Sequence, residues 1–216
     1  MDLSYLNDYC LEFAKKQYTS QDPSHALDHI LRVLQNAKYI AQYEWWDLEI
    51  VVPAVYFHDY INPPKNTEAA KTATEDSALV AEKILLWCTN YPLEKIKWVK
   101  YAIMVCSFTK NLPKETLEAK ILQDADLLES TGVISLMRTS ASCGVMSRVL
   151  FDPQDPLHDY REINPTMSGF DLINYRLKLV IERFQTKTGK ELWEVRHKNL
   201  LDLEQMIKYE ILQTTH

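Results

Sequence analysis

Residues 48–61 read LEIVVPAVYFHDYI, an apolar run that ends in an adjacent histidine and aspartate. A segment that is apolar almost all round predicts a helix buried at the centre of the fold. Asp47, just before it, is a preferred N-cap residue, and we expect Pro53 to bend the helix or to break its first turns. The central helix would therefore carry a His-Asp pair at its end.

The sequence on both sides of this run also has a helical pattern. Apolar positions recur with the 3.6-residue period of amphipathic helices. We predict helices at about 2–17, 22–43, 68–88, 92–107 and 114–129, another that follows a break at Gly132 and runs to about 149, and two more at 169–186 and 190–212. No segment shows sustained strict alternation, so no strand is required. The predicted fold class is all-α.

The composition excludes several classes of protein. Only four glycines occur in 216 residues, which weighs against P-loop, kinase and Rossmann folds, because these need Gly-rich loops. The formal net charge of −6 gives no overall attraction to nucleic acid. No apolar run reaches the roughly 20 residues of a membrane span. The N-terminus has no signal pattern and the four cysteines form no CxxC pair, so we expect a cytoplasmic protein.

Four polar residues stand inside apolar helical patterns: His29, the pair His58-Asp59, and Asp126. Buried histidines and aspartates need partners or a cation. Two imidazoles and two carboxylates suit a divalent ion such as Mn²⁺, Fe²⁺, Mg²⁺, Co²⁺ or Ni²⁺. On an octahedral ion they would leave two positions for water and a phosphate oxygen. From the residues alone, ordinary core or surface residues in a satisfied network are the more common case.

A second His-Asp pair, His158-Asp159, lies in the Pro-rich stretch 151–166. Three prolines and several Asp and Asn residues predict a surface loop there. We interpret this pair as unrelated to the site, because a mobile loop holds ligands poorly.

Three segments resemble, in order, the motifs of the HD-domain superfamily of metal-dependent phosphohydrolases. They are DPSHALDHILRV at 22–33, AVYFHDYI at 54–61 and ILQDADLLESTGVISLMR at 121–138. The C-terminal segment 186–210 resembles the terminal helices of the small bacterial stand-alone branch of that superfamily. The resemblance covers most of the chain and implies a compact multi-helix HD-domain bundle with additional C-terminal helices. The implied organisation is a single domain, 1–216, with a metal-site core at about 22–150, a loop at 151–167 and C-terminal helices at 168–213.

The resemblance makes His29, His58, Asp59 and Asp126 the ligands of a divalent metal ion. The two-metal and oxygenase branches have extra histidines between the last two motifs, and this chain has none between positions 58 and 126. We therefore expect one ion. The implied activity is hydrolysis of a phosphomonoester or phosphoanhydride by metal-activated water, and we expect the substrate to be a nucleotide.

Three further positions match the same superfamily. Arg32 and Lys65 match basic residues that could hold phosphate, and His25 matches a histidine that could contact phosphate or a metal-bound water. For His25, a surface histidine at a helix start is an equal alternative. Two other functions stay open: a non-catalytic nucleotide-sensing module, and a structural helical protein. The exposed faces of the last two helices could pair in a homodimer or cover the core.

Overall fold

The computed structural model describes residues 1–19, 26–63, 67–107, 110–178 and 181–214. Its α-helices are α1 Leu3–Gln17, α2 Leu27–Glu44, α3 Leu48–Phe57, α4 Ala69–Leu86, α5 Ile96–Val105, α6 Leu117–Leu127, α7 Gly132–Val145, α8 Gly169–Leu177 and α9 Lys187–Thr214. Short 3₁₀ turns lie at Leu93–Lys95, Leu128–Ser130 and Ile181–Arg183. These described ranges contain no strand, so the predicted all-α class is confirmed.

Helix α3 is the centre of the bundle. Every residue from Ile50 to Phe57 is buried, and α3 packs against α1, α2, α4, α5 and α6. A helix that is apolar on all sides needs neighbours on all sides, and α3 has them. The Asp47 carboxylate caps α3 by accepting a hydrogen bond from the N–H of Glu49 at 3.0 Å, as predicted.

The predicted break at Pro53 is wrong, because α3 is continuous from its first turn. Proline has no N–H, so the carbonyl of Glu49, four residues earlier, loses its helical partner. The hydroxyl of Tyr91 donates to that carbonyl at 2.8 Å. A side chain from a distant loop thus replaces the missing backbone donor.

Among the predicted helix boundaries that differ from those observed, the largest difference is at α8, which ends at Leu177 rather than near residue 186. Helix α2 begins at Leu27 rather than near residue 22, and the predicted cap at Asp22 lies outside the described residues. Helix α7 ends at Val145 rather than near residue 149. Ser147 has a positive φ of 51° there, and the N–H of Arg148 bonds back to Cys143, which closes the helix early.

The segment 151–167, predicted as a loop, contains no helix or strand and is firmly anchored. The Arg161 guanidinium donates to both oxygens of Asp171 in α8, at 2.6 and 2.9 Å, and to Asp152 at 3.0 Å. The bidentate pair ties the loop to a helix. Mobility was therefore the wrong reason to separate His158-Asp159 from the site.

The C-terminal helix α9 is attached through a buried carboxylate on α6. Asp124 accepts hydrogen bonds from the N–H of Gln185 and from both the N–H and the hydroxyl of Thr186. Glu44 at the end of α2 accepts two more from Thr188. In the part of the chain that the structure describes, no helix combines the length and hydropathy needed to cross a membrane.

Candidate metal centre

Three packed helices bring the predicted ligands together. His29 lies in the first turn of α2, His58 directly follows the last residue of α3, and Asp126 lies in the last turn of α6. Helices α2, α3 and α6 are in mutual contact. One donor atom from each of these three residues lies within 4.8 Å of the other two. Among the described residues this is the one such group of histidine, cysteine and carboxylate side chains.

The distances show how the donor atoms face one another. The Nε2 atom of His29 lies 3.4 Å from Oδ1 of Asp126, and Nε2 of His58 lies 3.9 Å from the same oxygen. Oδ2 of Asp59 is 3.8 Å from Nε2 of His58, although Asp59 does not belong to the group defined at 4.8 Å. Donor atoms at these separations are close enough to share an ion.

Burial differs between the two kinds of ligand. The imidazoles of His29 and His58 are 1% exposed, whereas the side chains of Asp126 and Asp59 are 38% and 31% exposed. The imidazoles thus form the floor of the group, and the carboxylates face solvent. Water and a substrate could reach the group from the carboxylate side.

The orientation of His58 fits a metal ligand. Its Nδ1 lies 2.8 Å from the carbonyl oxygen of Val55, so this hydrogen bond assigns the proton to Nδ1. The Nε2 atom then carries the lone pair, and it is buried without a hydrogen-bond partner among the described residues. A buried polar atom without a partner is costly, and a bound cation would remove that cost.

The electrostatics of the two imidazoles differ. Burial lowers the pKa of His29, although Glu129 and Asp126 oppose this effect. Burial acts in the same direction on His58, but the carboxylates of Asp59 and Asp126 outweigh it and raise the pKa of that imidazole. Positive charge is therefore favoured where Nε2 of His58 meets the two aspartates. A divalent cation satisfies the same preference.

The sequence analysis missed Glu129. This residue lies in the 3₁₀ turn after α6 and is 1% exposed. Its Oε2 accepts a hydrogen bond from Nε of Arg32 at 2.8 Å and lies 3.5 Å from Nδ1 of His29. One signal was available: Glu129 follows Asp126 by three residues and directly follows Leu127-Leu128, in the same apolar context that singled out the aspartate.

The remaining predicted residues have different outcomes. His25 and Lys65 lie outside the described residues, so their roles stay predictions. The Arg32 guanidinium contacts Glu129 and, at 2.7 Å, Asp28. Its predicted role in holding phosphate stays a prediction.

The second His-Asp pair belongs to a different part of the molecule. Nδ1 of His158 lies 3.6 Å from Asp171, and the imidazole stacks on Phe170 with ring centroids 5.3 Å apart. The N–H of Asp159 donates to Asp155. These contacts make the pair part of the packing between the anchored loop and α8.

Comparisons with known proteins give a family match that covers the predicted ligands. Residues 26–131, which include all four predicted ligands, match the family model of the HD domain. YpgQ of Bacillus subtilis is 25% identical over 197 residues, which are 89% of this chain and 87% of that protein.

Solved structures show the same fold along nearly the whole chain. A Lactobacillus plantarum protein has a TM-score of 0.72 at 19% identity, over 96% of this chain and 97% of that one. YpgQ in complex with ADP has a TM-score of 0.70 at 23% identity, over 95% and 97%. An HD-superfamily hydrolase from Bacillus thuringiensis has a TM-score of 0.69 at 23% identity, over 96% and 97%.

Proposed function

Because residues 26–131 match the family model of the HD domain, we propose that this chain is a metal-dependent phosphohydrolase with a nucleotide as its substrate. The bond cleaved would be a phosphomonoester or a phosphoanhydride. The observation that carries the proposal is the buried, unpartnered Nε2 of His58, which faces two carboxylates and a second buried imidazole. The ADP bound in the structure of the similar YpgQ supports a nucleotide ligand.

His29, His58, Asp59 and Asp126 would hold one divalent ion. Such an ion lowers the pKa of water and polarises a phosphoryl oxygen. The protein residues supply the remaining functions. The imidazoles form the buried side of the site. The partly exposed Asp59 and Asp126 carboxylates can accept the proton of an attacking water.

A positive side chain near the group would help to hold an anionic substrate. Arg138 of α7 is one: after the larger effects of burial and of the neighbouring carboxylates, its charge adds to the lowering of the pKa of His29 and opposes the rise in the pKa of His58. Its Nη1 donates to the main-chain carbonyl of Glu129 at 3.1 Å, which fixes it beside the site. We include Arg138 with Lys65 as a phosphate-binding residue.

Phosphate release from nucleoside mono-, di- and triphosphates, measured with Mn²⁺, Mg²⁺, Co²⁺ and Ni²⁺, tests this function. The two His-Asp pairs provide a matched comparison. We expect Asp59→Ala to lose at least about 100-fold in rate, as for removal of an essential catalytic group. Asp159→Ala, at an exposed position of the other pair, should keep wild-type activity. Nucleotide binding without turnover under every metal would contradict the hydrolase and favour a sensing module.

A further inference from the structure

We propose that Glu129 is a positioning residue that holds the His29 imidazole with its Nε2 lone pair toward the metal site. The inference rests on the proposed metal centre and deepens it. Glu129 is not one of the predicted metal ligands. Its side chain contacts the ligand group through His29.

The first step concerns the contact itself. A single oxygen, Oε2 of Glu129, lies 3.5 Å from Nδ1 of His29 and 2.8 Å from Nε of Arg32. Glu129 and His29 are each 1% exposed, so water does not compete for this contact. A carboxylate accepts only, so the hydrogen bond to Glu129 requires a proton on Nδ1, whereas the Asp126 oxygen near Nε2 makes a contact without hydrogen-bond geometry.

The second step follows from that proton. With Nδ1 protonated, Nε2 of His29 carries the lone pair, and it is Nε2 that lies 3.4 Å from Asp126. His58 reaches the same state by a different route, because its Nδ1 faces the main-chain carbonyl of Val55. Both imidazoles thus present Nε2 to the same Asp126 oxygen. A carboxylate partner additionally raises the basicity of a ligating histidine, which a neutral carbonyl does less.

The third step concerns what keeps Glu129 in place. Arg32 connects it to Asp28, so the buried carboxylate has a cation within 2.8 Å. Without such a partner, a buried carboxylate would be strongly unfavourable. Arg138 holds the main chain of the same residue by donating to its carbonyl.

The spacing along the chain explains the alignment. Arg32 follows His29 by three residues on α2, and Glu129 follows Asp126 by three residues, in the 3₁₀ turn that directly continues α6. Residues three apart share one face of a helix. The packing of α2 against α6 therefore sets His29 opposite Asp126 and Arg32 opposite Glu129 at the same time.

The first test is the affinity for Mn²⁺, measured by calorimetry on chelator-treated protein. We expect Glu129→Gln to weaken binding by about 10- to 100-fold, the usual effect of removing a residue that orients a metal ligand. Glu118→Gln is the matched control, because Glu118 is a buried glutamate on α6 that has no hydrogen bond or ion pair to a histidine among the described residues. Affinities of Glu129→Gln and wild type within about twofold of each other would overturn the proposal.

The second test needs no metal and separates this proposal from the metal site as a whole. The ¹⁵N shifts of the His29 ring in metal-free protein report which nitrogen is protonated. We expect the Nδ1-protonated form in wild type and substantial Nε2 protonation in the double variant Glu129→Met/Arg32→Met, which removes the buried carboxylate together with its half-buried cation and so leaves neither without the other. If the His29 tautomer is the same in the double variant as in wild type, the positioning role of Glu129 is overturned. If the tautomer changes but the wild-type protein binds no Mn²⁺, only the metal centre is overturned.

Discussion

Gly189 shows how tightly one residue constrains the attachment of α9. A Cβ atom at this position would overlap Oδ2 of Asp124 and lie 2.7 Å from Oγ1 of Thr186. These two oxygens are hydrogen-bonded to each other, so neither can move aside without loss. A side chain at position 189 would therefore collide with the hydrogen-bonded Asp124 and Thr186 side chains, which join α6 to α9.

We predict that Gly189→Ala lowers the free energy of unfolding by roughly 1–3 kcal/mol, the usual cost of overpacking a filled site. Gly144→Ala is the control, because no described atom outside the local helix backbone lies within 4 Å of its Cβ position, and alanine gains up to about 1 kcal/mol over glycine within a helix. Urea unfolding measures both. Equal stabilities for the two variants would contradict the assigned role of Gly189.

Residue-scale prediction from sequence succeeds where a residue breaks an apolar pattern. His29, His58 and Asp126 do so, and the structure brings them together. Glu129 also follows an apolar pair, but it stands beside a Ser-Thr-Gly turn, so its sequence context is a weaker signal than that of Asp126. Its significance depends on a contact with His29, which lies 100 positions away in the chain, and no local pattern contains that information.

At the scale of elements, α3 depends on a donor from outside itself. Tyr91 is 4% exposed, and its hydroxyl serves the Glu49 carbonyl that Pro53 leaves open. We predict that Tyr91→Phe costs about 1–2 kcal/mol in the free energy of unfolding, because it leaves a buried carbonyl without a donor. Pro53→Ala restores the N–H, so the same Tyr91→Phe change should cost less than about 0.5 kcal/mol in that background. Additive effects in this double-mutant cycle would show that the hydroxyl does not replace the proline's donor.

The anchored loop provides a prediction about pH. Burial raises the pKa of Asp171, but hydrogen bonds from Arg161 and Ser168 outweigh it and hold the pKa well below its usual range. A lowered folded-state pKa gives stability that is complete above the usual aspartate pKa, near 4, and is lost as the pH falls toward the folded value. The stability difference between wild type and Asp171→Asn should therefore be constant from pH 5 to 7 and shrink below about pH 4. A stability difference between the two proteins that stays constant down to pH 3 would contradict the lowered pKa of Asp171.

Element boundaries were predictable where a local cap decides them. Asp47 starts α3 as expected because its carboxylate needs only the N–H of Glu49, two residues away. The continuity of α3 through Pro53 and the early end of α7 could not be predicted in this way. The first depends on Tyr91, and the second on a backbone turn at Ser147.

For the whole molecule, the all-α class follows from apolar periodicity and from the scarcity of glycine. The order of three motifs indicated the HD domain, which the family match over residues 26–131 bears out. The sequence could not predict which groups orient the ligands, because these contacts arise from packing α2 against α6. The identity of the substrate likewise depends on contacts that no motif encodes.

The central claim is that one divalent ion binds between His29, His58, Asp59 and Asp126. The most direct measurement is calorimetric titration of chelator-treated protein with Mn²⁺, supported by elemental analysis after dialysis. We expect one ion per chain in wild type and in Asp159→Ala, and no saturable binding in Asp126→Ala. Absence of stoichiometric metal in wild type, or equal binding in Asp126→Ala, would contradict the claim.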